Sequence, residues 1–157
     1  MDGGEQLETN YTSKLQTVTE GEWAGWSYYP GGDPFEDHAG LFYWKMREDG
    51  RPVCAFKAER KHMNGGGFLH GGCVMTFADY SLFVIARQDL NGQASVTATF
   101  NGEFVGTAHE GEIVECTGEV VKAGRSMVFI RGLIVNASQG GEPVMSFSAV
   151  LKKTKRT

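Results

Sequence analysis

At 157 residues the chain is long enough to bury most of the surface that its unfolded form exposes, and too short for a second catalytic domain. With 41% hydrophobic and 22% charged residues it lacks the signature of disorder. A formal charge of −4 excludes a general nucleic-acid binder, whose phosphate contacts require clustered Lys and Arg.

Met1-Asp2-Gly3-Gly4-Glu5 has neither the basic start nor the apolar run of a secretory signal, so a cytoplasmic location is the default expectation. Residues 1–40 are polar and broken by turn formers such as Pro30-Gly31-Gly32-Asp33-Pro34. Their aromatic residues Trp23, Trp26, Tyr28, Tyr29 and Phe35 follow no period. This segment is read as an N-terminal arm packed on a body formed by residues 41–157.

Strand-like runs follow at Leu41–Arg47 and Val53–Arg60, joined by Glu48-Asp49-Gly50-Arg51-Pro52, and predict a hairpin. Over His70–Gln88 the pattern changes. Val74, Met75, Phe77, Ala78, Tyr80, Leu82, Phe83, Val84, Ile85 and Ala86 leave little polar stripe at the helical period, which predicts a helix buried on nearly every side. Asp79 at its middle and Arg87–Asp89 at its end exclude a membrane span.

Beyond Asn91-Gly92, Ser95, Thr97, Thr99 and Asn101 alternate with Val96, Ala98 and Phe100. Val114–Val120, Ser126–Val135 and Val144–Leu151 complete about six strands, separated by Lys122-Ala123-Gly124-Arg125 and Asn136–Glu142. Asn136-Ala137-Ser138 fits a glycosylation pattern but reads better as part of that second turn. The basic run Lys152-Lys153-Thr154-Lys155-Arg156 reads as a solvated strand end. Cys54, Cys73 and Cys116 lack disulfide or zinc spacing and are expected as reduced core residues; no metal or cofactor is implied. One long helix among consecutive strands excludes an alternating parallel α/β fold and predicts an α+β hotdog fold, a curved antiparallel sheet wrapped around the helix.

Candidate chemistry concentrates in Asn64-Gly65-Gly66-Gly67-Phe68-Leu69-His70-Gly71-Gly72. The glycines could serve only a sharp turn. A phosphate loop is disfavoured, because no Lys-Ser/Thr or GxGxxG is present. A third reading is an oxyanion site, since a Gly-rich helix entry presents unpaired N–H groups backed by the helix dipole. Asp79 favours that reading. A carboxylate in an apolar helix is costly unless paired, and its alternative role is a structural bond to Thr76 or Ser81. Gly71 and Asp79 stand eight residues apart, about 12 Å of helix rise. One chain cannot easily bring both to one carbonyl, whereas two antiparallel copies of the helix can, which predicts a dimer.

The run from Asn64 through His70-Gly71-Gly72 to Asp79, together with the strand order over residues 40–153, resembles the PaaI-like branch of the 4-hydroxybenzoyl-CoA thioesterase superfamily. The resemblance implies an acyl-CoA thioesterase acting as a homodimer or dimer of dimers, with acyl-CoA as substrate. It implies Asp79 as nucleophile or general base, Gly71 N–H as the group polarising the thioester carbonyl, and Asn64 as the group positioning water or thioester. His70 would hold the loop, and Ser95 or Thr97 would place a hydroxyl near the attacking water. Gly72, Lys122, Gly124 and Arg125 would bind substrate, the latter three near the CoA phosphates. His38, His62 and His109 receive no role. The competing reading is a hotdog module that binds acyl-CoA without cleaving it, which would not need a buried Asp79. The acyl group is not specified by these residues.

Overall fold

The computed structural model of the protein describes residues 15–155. The expectations for Met1–Glu5 and Arg156 lie outside the described residues, as does the first part of the predicted arm. Among the described residues eight strands form one sheet: β1 (Gln16–Thr17), β2 (Ser27–Tyr28), β3 (Tyr43–Met46), β4 (Pro52–Lys57), β5 (Ser95–Phe104), β6 (Ile113–Ala123), β7 (Met127–Asn136) and β8 (Glu142–Lys153). Three helices accompany them: α1 (Pro34–Ala39), α2 (Gly71–Ile85) and α3 (Arg87–Leu90).

Every strand pairing is antiparallel, in the order β1-β2-β3-β4-β6-β7-β8-β5. The predicted hairpin is present, with Trp44 opposite Cys54 in β3–β4 and Gly50 at φ 77° in its turn. After β4 the chain crosses the sheet as α2 and returns as β5 on the far edge; it then comes back to pair β6 with β4. This crossover lays α2 against β4, β6, β7 and β8, the hotdog arrangement predicted from the sequence.

Phe77, Leu82 and Val74 of α2 are fully buried with Phe56, Val114, Ile130, Ile134, Met145 and Leu151 of the sheet. Phe42, Phe56 and Phe77 meet ring to ring, with centroids 4.7–5.3 Å apart. Two glycines permit close approaches inside the fold, one of helix to sheet and one within the sheet. Gly118 and Gly132 are cross-strand partners, and a Cβ on Gly118 would stand 2.7 Å from Ile85 Cδ1 of α2. A Cβ on Gly132 would enter the ring of Phe147, its partner on β8. The aromatic ring occupies the space of the missing side chain, a device that restores packing over a strand glycine.

The structure adds elements to the predicted set. The two-residue strands β1 and β2 extend the sheet beyond β3, and α1 packs on α2. Trp23 stacks on Tyr43 with centroids 4.5 Å apart, and the Lys45 ammonium lies 4.5 Å from the Trp26 ring centroid. The three cysteines are free, with Cys54 and Cys116 buried as cross-strand partners. Asn136 is also buried. It ends β7, precedes the 3-10 turn Ala137–Gln139, and donates through Nδ2 to Glu112 Oε2 at 2.7 Å.

Overpacking predicts that Gly132→Ala costs about 1–3 kcal/mol, read as a lowered thermal midpoint, because Phe147 has to leave its place. A second prediction concerns acid. Donors from Gln139 Nε2 (2.6 Å), His109 N–H (2.8 Å) and Asn136 Nδ2 hold Glu112 down at about 2, against an ordinary 4.5. A carboxylate with a depressed folded-state value contributes stability fully above its unfolded value and loses it as pH falls through the folded one. The Glu112 contribution is therefore expected to disappear as pH drops from about 4.5 toward 2. Urea midpoints measured across that range should fall less steeply in Glu112→Gln than in the wild type.

Candidate active site

The loop before α2 is built by Asn64. Its Oδ1 accepts from Gly66 N–H at 2.9 Å and Phe68 N–H at 3.1 Å, and its backbone N–H donates to Phe68 O at 2.7 Å. Gly67 turns the chain at φ 81°, a conformation open to glycine. Asn64 thus shapes the loop through its carbonyl oxygen, and its amide NH2 takes no part in these contacts.

His70 is the N-cap of α2, with Nδ1 accepting from Gly72 N–H at 2.8 Å. An acceptor at Nδ1 requires the neutral ring to carry its proton on Nε2. The cap occupies Gly72 N–H. Gly71 N–H has no acceptor among the described residues and is an unpaired donor at the helix entry. The Phe104 ring lies beside Gly71, 3.3 Å from where a Cβ would stand.

Asp79 lies about two turns further along α2, half-buried, and accepts a 2.6 Å hydrogen bond at Oδ1 from Thr97 Oγ1 of β5. The two local hydroxyls turn elsewhere: Thr76 Oγ1 donates to Gly72 O, and Ser81 Oγ to Phe77 O. Ser95 shares the half-buried face of β5 with Thr97, yet only Thr97 is bonded to Asp79. The alternation of β5 carries Thr97 toward the helix and leaves Val96 52% exposed, so on this stretch the polar face is the inward one.

Beside Asp79 opens a cavity of about 360 Å³, walled by Met75 and Thr76 of α2, Phe100 of β5, Asp33, and Phe35 and Glu36 of α1. Sequence reasoning assigned no role to α1 or Glu36. Asp33 caps this helix, its Oδ1 accepting from Phe35 and Glu36 N–H at 3.0 Å each. Burial, followed by the negative charges of Asp33, Asp79 and Asp37, pushes the Glu36 carboxyl up to about 7. Asp33-Pro34, an N-cap followed by proline at the first helical position, is the sequence signal that marks α1.

His62 fastens α1 to the Asn64 loop. Its Nδ1 accepts from Glu59 N–H at 2.9 Å, and its Nε2–H donates to Ala39 O at 2.6 Å. Burial lowers the imidazole pKa, in keeping with a neutral ring whose two nitrogens play opposite roles. Lys61 Nζ adds a 2.5 Å bond to Gly40 O, and His70 N–H donates to His62 O. Spacing alone gave His62 no role, because its function is to join two backbone segments.

Lys122 and Arg125 are exposed on the β6–β7 hairpin, whose Gly124 N–H donates to Met127 O. The sheet register brings Lys152 opposite Val96 and Met127, and Lys153 Nζ bonds Gly124 O at 3.2 Å. The C-terminal lysines therefore stand on the same end of the sheet as the basic turn.

A buried helix crossing its own wrapping sheet defines the hotdog class of folds, here with a hydroxyl-bonded carboxylate at the middle of the helix. A family model described as Thioesterase superfamily matches residues 66–142. "Putative esterase PA0474" of Pseudomonas aeruginosa is 33% identical over 97 residues, covering 61% of this chain and 72% of that protein. Human Acyl-coenzyme A thioesterase 13 is 29% identical over 91 residues, 58% of this chain and 65%, just under two thirds, of that protein. Zebrafish Thioesterase Superfamily Member 2 superposes with a TM-score of 0.65 at 25% identity, over 78% of this chain and 88% of its own. A Streptococcus pneumoniae hypothetical thioesterase solved with coenzyme A gives 0.62 at 25% identity, over 73% and 87%. Escherichia coli PaaI shares the fold, with a TM-score of 0.67 at 21% identity over 80% and 87%. The chain belongs to the thioesterase superfamily and is a thioester hydrolase.

Asn64→Ala removes two hydrogen bonds from the loop and is expected to cost about 1 kcal/mol, with faster amide exchange at Gly66 and Phe68. Asn64→Asp keeps the acceptor and should retain their protection. Equal exchange in both variants would show that the loop does not depend on Oδ1.

Proposed function

We propose that this protein hydrolyses acyl-CoA thioesters to free acid and CoA, with Asp79 as the general base. The observation that carries the reading is the 2.6 Å bond from Thr97 to Asp79 at the cavity. One carboxylate oxygen is fixed by that hydroxyl and the other is left to take a proton from water. The unpaired Gly71 N–H is the oxyanion donor, stabilising charge as it develops on the thioester oxygen. The Asn64 amide NH2, free of the loop contacts, positions the thioester or water. Lys122 and Arg125, with the neighbouring strand-end lysines, suit the CoA phosphates, and the pneumococcal structure solved with coenzyme A supports a CoA substrate.

The site is read as shared between two copies. Gly71 and Asp79 remain about 12 Å apart along one rigid helix, and two further features call for a partner. Among the described residues β5, ten residues long, pairs with β8 alone, and its other edge is a template for strand pairing. Exposed apolar side chains gather beside that edge and on the outer face of α2: Val96 at 52%, Phe104 at 53% and Met75 at 45%. A two-fold dimer would cover them and bring Gly71 of one copy toward Asp79 of the other.

Release of free thiol across a panel of acyl-CoA esters tests the activity. Asp79→Asn is expected to abolish turnover while remaining folded, and a folded variant with unchanged turnover would remove Asp79 from its role. Binding without turnover in the wild type would instead favour the non-catalytic module. Mixing Asp79→Asn with a Gly71 variant bearing a bulky side chain should restore part of the activity, because one of the two sites in a mixed dimer is then intact. No recovery despite subunit exchange verified by mass spectrometry would place each site within one chain.

A further inference from the structure

We infer that Glu36 is a second proton-carrying carboxylate of this site, giving its proton to the departing thiolate while Asp79 takes one from the attacking water. The inference rests on the thioester-hydrolysis reading and adds to it a residue and a step.

Three observations converge on Glu36. It lines the same cavity as Asp79, from α1 where Asp79 comes from α2, and Phe35 and Met75 supply apolar lining of the same cavity. Its helix is anchored, because His62 Nε2 and Lys61 Nζ hold the carbonyls of Ala39 and Gly40 at 2.6 and 2.5 Å and Asp33 caps the first turn. A carboxyl carried on so short a helix would otherwise have little fixed position. Third, the groups facing Glu36 discourage its ionisation near neutrality. Asp33 and Asp37 flank it on its own segment and Asp79 faces it from α2. Tyr80 and Cys54 stand behind it, both pushed up by burial and neutral in this range. With its value raised to about 7, Glu36 holds a proton for much of the time at neutral pH and can also release it. That poise suits a general acid, whose efficiency is greatest near the working pH.

The proton balance closes without another reagent. Water adds to the thioester carbon as Asp79 removes its proton, forming the C–O bond. The C–S bond then breaks with its electron pair leaving on sulfur, and Glu36 protonates that sulfur. Asp79 passes its acquired proton to Glu36 through the shared cavity, restoring both groups and leaving one acid and one thiol.

The test compares leaving groups of different acidity. Wild type, Glu36→Gln and Glu36→Asp are assayed with an acyl-CoA and with the thiophenyl ester of the same acyl group, each variant being checked by thermal unfolding. Loss of a general acid typically costs about 10²-fold or more. Glu36→Gln should therefore lower kcat by about 10²-fold on the acyl-CoA and by much less on the aryl thioester, whose thiolate leaves unaided. Glu36→Asp should recover part of the loss. The wild-type kcat on acyl-CoA should fall above pH about 7, a limb that the aryl ester lacks. Carboxyl 13C resonances provide a readout separate from turnover: Glu36 should titrate near 7 and move down in Asp79→Asn, where one facing negative charge is gone.

An equal loss on both esters, or none on either, would overturn the general-acid role. So would an unchanged leaving-group dependence in the wild type across pH 7 if Glu36→Gln fails to fold. Failure of the wild type to cleave any acyl-CoA would defeat the proposed function itself. Asp79-dependent cleavage indifferent to Glu36 would defeat only this step.

Discussion

A helix without a polar stripe has to be covered on almost every side, and most of this structure answers that requirement. The side chains of α2 are apolar around most of its circumference, so it can be stable in water only inside a wrapping surface. Strands β4, β6, β7 and β8 supply that surface, and Gly118 lets it come close to Ile85 of the helix. The coverage is incomplete along the line of Met75, Thr76 and Asp79. That uncovered line is where the carboxylate sits and where the cavity opens. The one charged side chain within the helix thus marks the boundary between the part serving stability and the part available for chemistry.

Asp79 stays tolerable there because its partner comes from a different element. Thr76 and Ser81, the hydroxyls nearest in sequence, are used up by carbonyls of their own helix. Thr97 is delivered by β5 after the crossover, so the bond between Thr97 and Asp79 exists only once helix and edge strand have docked. Thr97 contributes to holding the edge strand against the helix and to fixing the carboxylate. The site is therefore assembled by the tertiary fold, not by local sequence.

This explains which features could be read in advance. The hairpin, the buried helix and the four long strands are written in periodicities of 3.6 and 2, and the structure contains all of them. The concentration of special residues between Asn64 and Asp79 was equally visible, since glycine clusters and a carboxylate among apolar residues stand out in one dimension. Other features depend on register. Ser95 and Thr97 share one strand face, and sequence alone cannot decide which of them meets Asp79. β1 and β2, at two residues each, are too short to show a period. His62 does its work by accepting and donating between two backbone segments, which no spacing rule describes. Glu36 was missed for a related reason: nothing in Pro34–Ala39 announces that this helix lines one cavity with Asp79.

The described part of the N-terminal segment packs on the body and supplies Asp33, Phe35 and Glu36 to the cavity beside Asp79. β2 extends the sheet from β3, while α1 covers part of α2 and is tied through His62 and Lys61 to the stretch that leads into the Asn64 loop. That same stretch meets α2 through His70, whose backbone N–H donates to His62 O and whose ring caps Gly72. A displacement of α1 would thus reach the helix entry through two hydrogen-bonded steps, His62 and then His70. Such chains of fixed bonds carry positional strain better than apolar contacts, because each has a preferred distance and direction. The cavity beside Asp79 takes part of its lining, Asp33, Phe35 and Glu36, from a segment outside the Asn64-to-Asp79 run, so substitutions at these three positions would reshape the cavity without touching that run.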